Sequence, residues 1–332
     1  MSIINSSIEN LKKVKYGVRG GWQSIKDINS RSGLSIFDYT ELMKPLDFYP
    51  FVPHKENNLY GNGSVIQASF PQLDFSETTI EHGLYIGSLV PSRHLKSRFK
   101  NIITFSEYRK KFIGAKTEQN IIAVGPYINY TKSLYDSERL LSEKDKLGKT
   151  LVVFPSHSID SVYANHNITE FIKYIEIFKE KYRFDSILVC MYWKDIELNN
   201  HKEYELSGFR IVTAGHSYDA NFLSRLKTIL LISDAVLTNS VGTHVGYSVS
   251  LNRPIQIWNG SKLEYLPILG QEDEAKKELS QRQGDDLNTH LDDIEHIKTM
   301  FFEFDESIST PQLECVEYYW GSSPSYLLEA FK

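Results

Sequence analysis

Ser240, Gly242, Thr243 and His244 are the residues whose types and placement point most directly to chemistry. They follow the apolar run 235–238, which has strand length, and precede residues 245–251, which can form a short helix leading to a further strand at 255–258. A turn from strand into helix presents unbonded backbone N–H groups and the positive end of a helix dipole, so it suits a phosphate. In an open parallel sheet such turns line the crevice at the carboxyl ends of the strands, where ligands bind. Asn239 belongs to the same turn, and all five residues are candidate phosphate contacts.

Three other polar groups fall at expected strand ends. Glu81-His82-Gly83 sets a carboxylate beside an imidazole at a glycine turn, and either Glu81 or His82 could take the proton from an attacking hydroxyl. A plain surface strand end is the competing account. Ser156-His157-Ser158 offers two hydroxyls and an imidazole to a phosphate or a departing nucleotide. A buried histidine satisfied by neighbouring backbone is the alternative for His157. Gly215 and His216 lie in the turn AGHSYD, where Gly215 would let a base or ribose approach closely and Asp219 would cap the following helix.

These groups need a scaffold, and the chain alternates strands with amphipathic helices. Strands are expected at 64–70, 101–105 and 121–124, the last closed by Gly125-Pro126, and the stretch 79–86 begins as a strand and reaches Gly83, with a helix at 36–46 and another after Ser106. A charged linker with some helix is expected at 137–149. Beyond it come strands 151–154, 187–192, 209–213, 235–238 and 255–258, with helices at 167–182 and 219–232. In the first of these helices Ile168, Phe171, Ile172, Ile175 and Phe178 keep helical spacing, and Asn167 with Glu170 makes a capping-box-like start. Such alternation implies parallel sheets covered on both faces. Residues 271–295 read as a solvated helix or loop. At 332 residues the chain is comfortable for two α/β domains, expected at 1–140 and 150–300, with terminal helices at 301–332 packing back on the body.

Composition narrows the class of function. A hydrophobic fraction of 41% with 24% charged residues is that of an ordinary folded protein rather than a disordered chain. The 13% aromatic content suits either sugar-stacking surfaces or a dense core. A net charge of −5 argues against nucleic acid as a partner, although basic clusters at 11–15 and 96–111 could form a local positive face. Cys190 and Cys315 are too isolated for a disulfide framework or a zinc site. Neither a membrane-spanning run nor a signal peptide is visible, so a cytoplasmic location is expected. There is no GxxxxGK[ST] phosphate loop, no GxGxxG after a strand, no GxSxG elbow and no DxD, which disfavours P-loop enzymes, simple dinucleotide oxidoreductases, α/β-hydrolases and metal-dependent sugar transfer.

The order EHG (81–83), TFSEYRKKFI (104–113), VGPYINY (124–130), VFPSHS (153–158) and SDAVLTNSVGTHVGYSVSLNRPI (233–255) resembles bacterial surface-polysaccharide transferases of the GT-B glycosyltransferase superfamily, including sialyl-, Kdo- and CDP-polyol-type enzymes. The resemblance is one of layout and short motifs over residues 64–258. It implies two Rossmann-like domains facing a central cleft, the N-terminal one on the acceptor side and the C-terminal one holding a nucleotide sugar. It further implies no cofactor or metal, and a CMP-, CDP- or UDP-linked donor. The acceptor would be a glycan or lipid-linked glycan for capsule, O-antigen or lipooligosaccharide, met at the inner face of the cell membrane. In this scheme Glu81 and His82 serve as the base. Gly125, Ser156, His157, Ser158, Gly215, His216, Asn239, Ser240, Gly242, Thr243 and His244 bind the donor, while Gly83 and Arg109 face the acceptor. Domain closure would hinge about Gly125-Pro126 and the 137–149 linker. Two alternatives stay open: a sugar-nucleotide epimerase of similar shape, and a non-catalytic glycan-binding protein.

Overall fold

The computed structural model of the chain describes Lys26 and residues 29–46, 54–281 and 286–322. The basic cluster expected at 11–15 and the last ten residues of the expected terminal helices lie outside the described residues.

The protein has an α/β fold built on two parallel sheets. The smaller contains β1 (Thr78–Ile80), β2 (Asn101–Thr104) and β3 (Asn120–Ala123), in that order. After β4 (Thr150–Phe154) and β5 (Val162–Asn165), the chain adds β6 (Ser186–Cys190), β7 (Arg210–Val212), β8 (Ala235–Thr238), β9 (Ile255–Ile257) and β10 (Glu264–Pro267). The larger sheet runs β7-β6-β4-β8-β9, all parallel. The direction of strand addition reverses between β4 and β8, so the turns after these two strands flank a topological switch point. β5 and β10 form a separate antiparallel pair.

The strands are apolar because both faces are covered. β4, TLVVF, is buried throughout. Its pleat sends Leu151 and Val153 toward Phe171, Ile175 and Phe178 of the helix Ile168–Tyr182, and Val152 and Phe154 into the larger core cluster. That helix starts where Asn167 Oδ1 accepts from the Glu170 N–H at 3.1 Å and stops at Arg183 in the left-handed conformation. The larger cluster runs through both sheets, joining Ile103 and Phe105 to Val152, Leu188 and Val236. It is closed by Val316, Tyr319 and Trp320 of the helix Thr310–Trp320, which lies against both the helix Glu107–Gly114 beside the smaller sheet and the helix Thr243–Ser250 beside the larger.

Several expected elements change. Residues 64–70 form the helix Asn62–Ser69, not a strand; Ile66 and Phe70, four apart, are the side chains it buries in the core, and that spacing is helical. The strand expected to run from 79 to Gly83 ends at Ile80, and the helix expected over 36–46 is reduced to Tyr39–Leu42. The expected linker at 137–149 is the helix Ser137–Leu147, capped by Asp136 and pinned to the larger sheet by Lys144 Nζ on Asp234 Oδ1 at 3.0 Å. Gly125 likewise does not form a hinge: with φ +76 it gives room to the Gly321 carbonyl, locking the end of β3 to the chain after Trp320. Residues 271–295 are occupied largely by the helices Glu272–Gln281 and Leu287–Met300. No helix among the described residues is long and apolar enough to cross a membrane.

The fully buried Trp320 indole fills the space where Gly246 lacks a side chain, and a Cβ there would collide with the ring. Gly246→Ala should therefore destabilise the protein by about 1–3 kcal/mol, seen as a lower urea midpoint, despite alanine's better helix propensity.

Candidate functional site

The turn after β1 is built around a buried ion pair. Glu81 and Arg109 are both fully buried. Arg109 Nη2 donates to Glu81 Oε1 at 2.7 Å and Nε to Oε2 at 3.2 Å, while Thr104 Oγ1 donates to Oε2 at 2.6 Å. Two of the three remaining guanidinium hydrogens reach the carbonyls of Gly87 (2.9 Å) and Leu89 (2.8 Å). Glu81 is thus a structural carboxylate that cannot meet an acceptor hydroxyl, and Arg109 is an internal clamp rather than an acceptor-facing cation. Both assignments are corrected on this geometry. The neighbouring Lys96, Arg98, Lys110 and Lys111 do remain exposed.

With Glu81 held inside, His82 is directed toward the larger sheet. Its carbonyl accepts from Asn62 Nδ2 at 3.0 Å, and its half-buried ring lies between Tyr60 (centroids 5.9 Å apart) and Tyr85 (5.7 Å). The following backbone crosses to the central turn, where the Leu84 N–H donates to Thr243 Oγ1 at 3.0 Å. Gly83 stands against that same hydroxyl, where a Cβ would lie 3.2 Å away. Glu81-His82-Gly83 and Asn239 to His244, 159 positions apart at the Leu84 to Thr243 bond, are therefore neighbours in the fold.

On the larger sheet much of the polar chemistry is consumed internally. Asn239 Oδ1 accepts from the Ser156 N–H at 2.6 Å, and its Nδ2 donates to Ser156 Oγ at 3.3 Å, tying together the turns after β4 and β8. Ser158 Oγ donates to Asp195 Oδ1 at 2.7 Å and accepts from the Ala164 N–H at 3.1 Å. Asn239, Ser156 and Ser158 therefore brace the switch point, Ser156 and Ser158 buried and Asn239 half-buried. His244 stacks on Phe154 with centroids 5.2 Å apart, its Nε2 3.0 Å from Thr238 Oγ1, and burial followed by the nearby His157 pushes its pKa down to about 3. It too is a support. Ser240, Gly242 and Thr243 are half-buried, as Asn239 and His244 also are, and lie at the start of a helix that no side chain caps. The exposed His157 stands beside them, its ring 4.8 Å from that of Tyr192.

Gly215 and His216 follow β7, two strands from β4. Gly215, with φ +103, makes room for the buried Arg225–Asp219 pair (2.8 Å), to which Arg31 adds a second guanidinium at 3.4 Å. His216 is buried against Trp193, and burial, then the Arg31 charge, pushes its pKa down to about 4. Both are corrected to structural roles, as is Gly125. Asp219 is likewise committed to its ion pairs; the helix Phe222–Ile232 begins at Asn221.

Sequence reasoning missed Tyr60, Tyr85 and Tyr192. The hydroxyls of Tyr60 and Tyr192 lie 3.4 Å apart, so these two rings complete a ring of residues running from His82 through Tyr60 and Tyr192 to His157. Tyr60 is held there by its left-handed backbone (φ 60) and by its N–H on the Ser217 carbonyl at 2.6 Å, while Gly61 packs on the Ala220 carbonyl. The signal available was the tyrosine-glycine pair in NLYGNG, a turn that brings an aromatic ring to a bend. Among the described residues no three His, Cys, Asp or Glu side chains gather as metal ligands.

No protein-family model matches the chain, and no curated protein matches it in sequence. Among solved structures it is similar to S. aureus MnaA in a co-structure with UDP, at 11% identity and a TM-score of 0.33, over 78% of this chain and 71% of that one. It is also similar to sucrose-phosphate synthase from Thermosynechococcus elongatus, at 12% identity and a TM-score of 0.30. That match covers 60% of this chain and 54% of the synthase chain.

Two outcomes follow from this geometry. Glu81→Gln should cost about 3–5 kcal/mol of stability by leaving the Arg109 charge buried and unmatched, whereas His82→Gln should change the melting temperature little. Acid should also destabilise the fold. The folded-state pKa of His216 lies below the ordinary imidazole value near 6.5, so the unfolded chain binds more protons, and stability present above pH 6.5 is lost as pH falls toward about 4. His216→Asn, whose side-chain oxygen can accept from the Tyr218 N–H as Nδ1 does at 3.2 Å, should shrink the stability difference between pH 7 and pH 5 by about 2 kcal/mol.

Proposed function

We propose that the chain is a metal-independent glycosyltransferase that moves a sugar from a nucleotide-activated donor to a glycan acceptor across the space between two Rossmann-like halves. The observation that carries this reading is the contact of the backbone just after His82 with the uncapped start of the helix Thr243–Ser250, made by the Leu84 to Thr243 hydrogen bond at the β4/β8 switch point. A helix N-terminus at a switch point suits a phosphate, and an imidazole two residues from that contact suits a hydroxyl that must lose a proton.

In this reading His82 takes the proton of the acceptor hydroxyl as its oxygen attacks the anomeric carbon. Ser240, the backbone of Gly242 and Thr243, and His157 hold the phosphate and offset the charge that grows on the departing nucleotide. Tyr60 and Tyr192 offer flat faces for a sugar ring or a base. Exposed Lys96, Arg98, Lys110 and Lys111 suit an anionic surface polysaccharide precursor or the inner membrane face. The donor nucleotide is CMP, CDP or UDP.

A thermal-shift series with CMP, CDP, UDP, GDP and dTDP, without added metal, tests the reading. One nucleotide at 100 times its dissociation constant should add about 2.7 kcal/mol of stability, and Ser240→Ala and His157→Ala should lose most of that gain. No stabilisation by any nucleotide would reject the donor site. Turnover of a nucleotide sugar to an isomer without acceptor would replace the transferase by an epimerase.

A further inference from the structure

His82 is backed by a chain of polar contacts that none of the residues assigned above explains. The Tyr85 hydroxyl lies 3.4 Å from His82 Nε2, and Arg93 Nη2 donates to that hydroxyl at 2.9 Å. The Arg93 guanidinium is in turn held by Glu56, with Nε 3.3 Å from Oε2. A guanidinium can only donate, so a phenol oxygen that accepts from it keeps its own proton for a different acceptor. Nε2 of His82, 3.4 Å away, is an acceptor in reach. Arg109 also stands near Tyr85, 5.6 Å from the ring centroid, and is already matched by Glu81. Tyr60 packs against the imidazole from a second direction.

We propose that Arg93, anchored by Glu56, is a positioning residue that aims the Tyr85 hydroxyl proton at His82 Nε2 and so fixes the imidazole as its neutral Nδ1–H tautomer, with Nε2 as the basic nitrogen. This rests on the reading of His82 as the base. The acceptor hydroxyl displaces the Tyr85 hydroxyl from Nε2 and passes its proton there as its oxygen bonds to the anomeric carbon. The bond from that carbon to the phosphate oxygen breaks, and the electron pair leaves on the phosphate. The Arg93 charge disfavours an imidazolium before substrate arrives, while Glu56 limits that effect and keeps the guanidinium in place.

The test is nitrogen NMR of histidine-labelled full-length protein without substrate, with His82 assigned through His82→Gln. Wild type and Arg93→Lys should show the Nδ1–H pattern for His82, whereas Arg93→Gln and Tyr85→Phe should shift it to a tautomer mixture. The titration midpoint of His82 should rise by about half a unit or more in those two variants and fall in Glu56→Gln. Arg93 is only partly buried, at 34% side-chain exposure, so its variants should fold, and their melting temperatures check this. A tautomer and midpoint unchanged in every folded variant would overturn the proposal, since a packing role moves neither. The readout needs no sugar transfer: a tautomer that responds to Arg93 in a protein that transfers nothing removes the transferase reading and upholds the positioning role. Transfer with an indifferent tautomer does the reverse.

Discussion

A pair of charges taken out of water is tolerated only when every donor and acceptor it carries is satisfied, and the Glu81–Arg109 pair imposes that condition on the whole first half of the chain. The guanidinium draws in two carbonyls, of Gly87 and Leu89, from the segment that follows Glu81. That segment must therefore curl around the arginine, and what cannot face inward is turned out. His82 and Tyr85 are the residues turned out, one on each side of Gly83 and Leu84. The partners of the clamp come from three places: the end of β1, Thr104 at the end of β2, and the helix Glu107–Gly114. A single buried charge pair thus sets the position of the cleft wall.

The larger sheet solves a related problem by different means. Its turns carry the hydroxyls, amides and imidazoles that look most suited to a ligand, yet Asn239 and Ser156 bond to each other, Ser158 to Asp195 after β6, and His244 to Thr238 at the end of its own strand. Buried polar groups cost several kcal/mol when unpaired, so a crowded switch point spends most of its polar side chains on itself. The parts left for a ligand are backbone at the start of a helix, a few half-buried small residues, and aromatic faces.

This division explains what could and could not be read from the sequence. The alternation of β4, β6, β7, β8 and β9 with the helices Ile168–Tyr182 and Phe222–Ile232 was legible because these elements carry their own periods, and the first helix its own cap at Asn167. The turn 239–244 was legible as a place. The roles within it were not, because whether Asn239 faces a phosphate or Ser156 depends on a strand 83 positions away. Glu81 looked catalytic for the same reason: its partner Arg109 lies 28 positions on, and neither residue announces its burial. Residues 64–70 misled differently, since SVIQASF satisfies a period of two while Ile66 and Phe70 obey the helical one. The pairing of β5 with β10 joins short, weakly patterned strands across a long interval, and local periodicity carries no sign of it.

The helix Thr310–Trp320 is placed where both sheets need it: Ser106 Oγ donates to the Tyr319 carbonyl at 2.8 Å, Trp320 fills the notch at Gly246, and the Gly321 carbonyl meets Gly125. Because a ribosome makes the chain in order, β1 through β9 all emerge before this helix exists. A nascent chain would hold the two sheets side by side with the groove at Gly246 and the rear of the smaller sheet still wet. The two sheets would acquire their final packing only when residues 310–321 are free to dock, so that step comes after both sheets have been made rather than gradually with them.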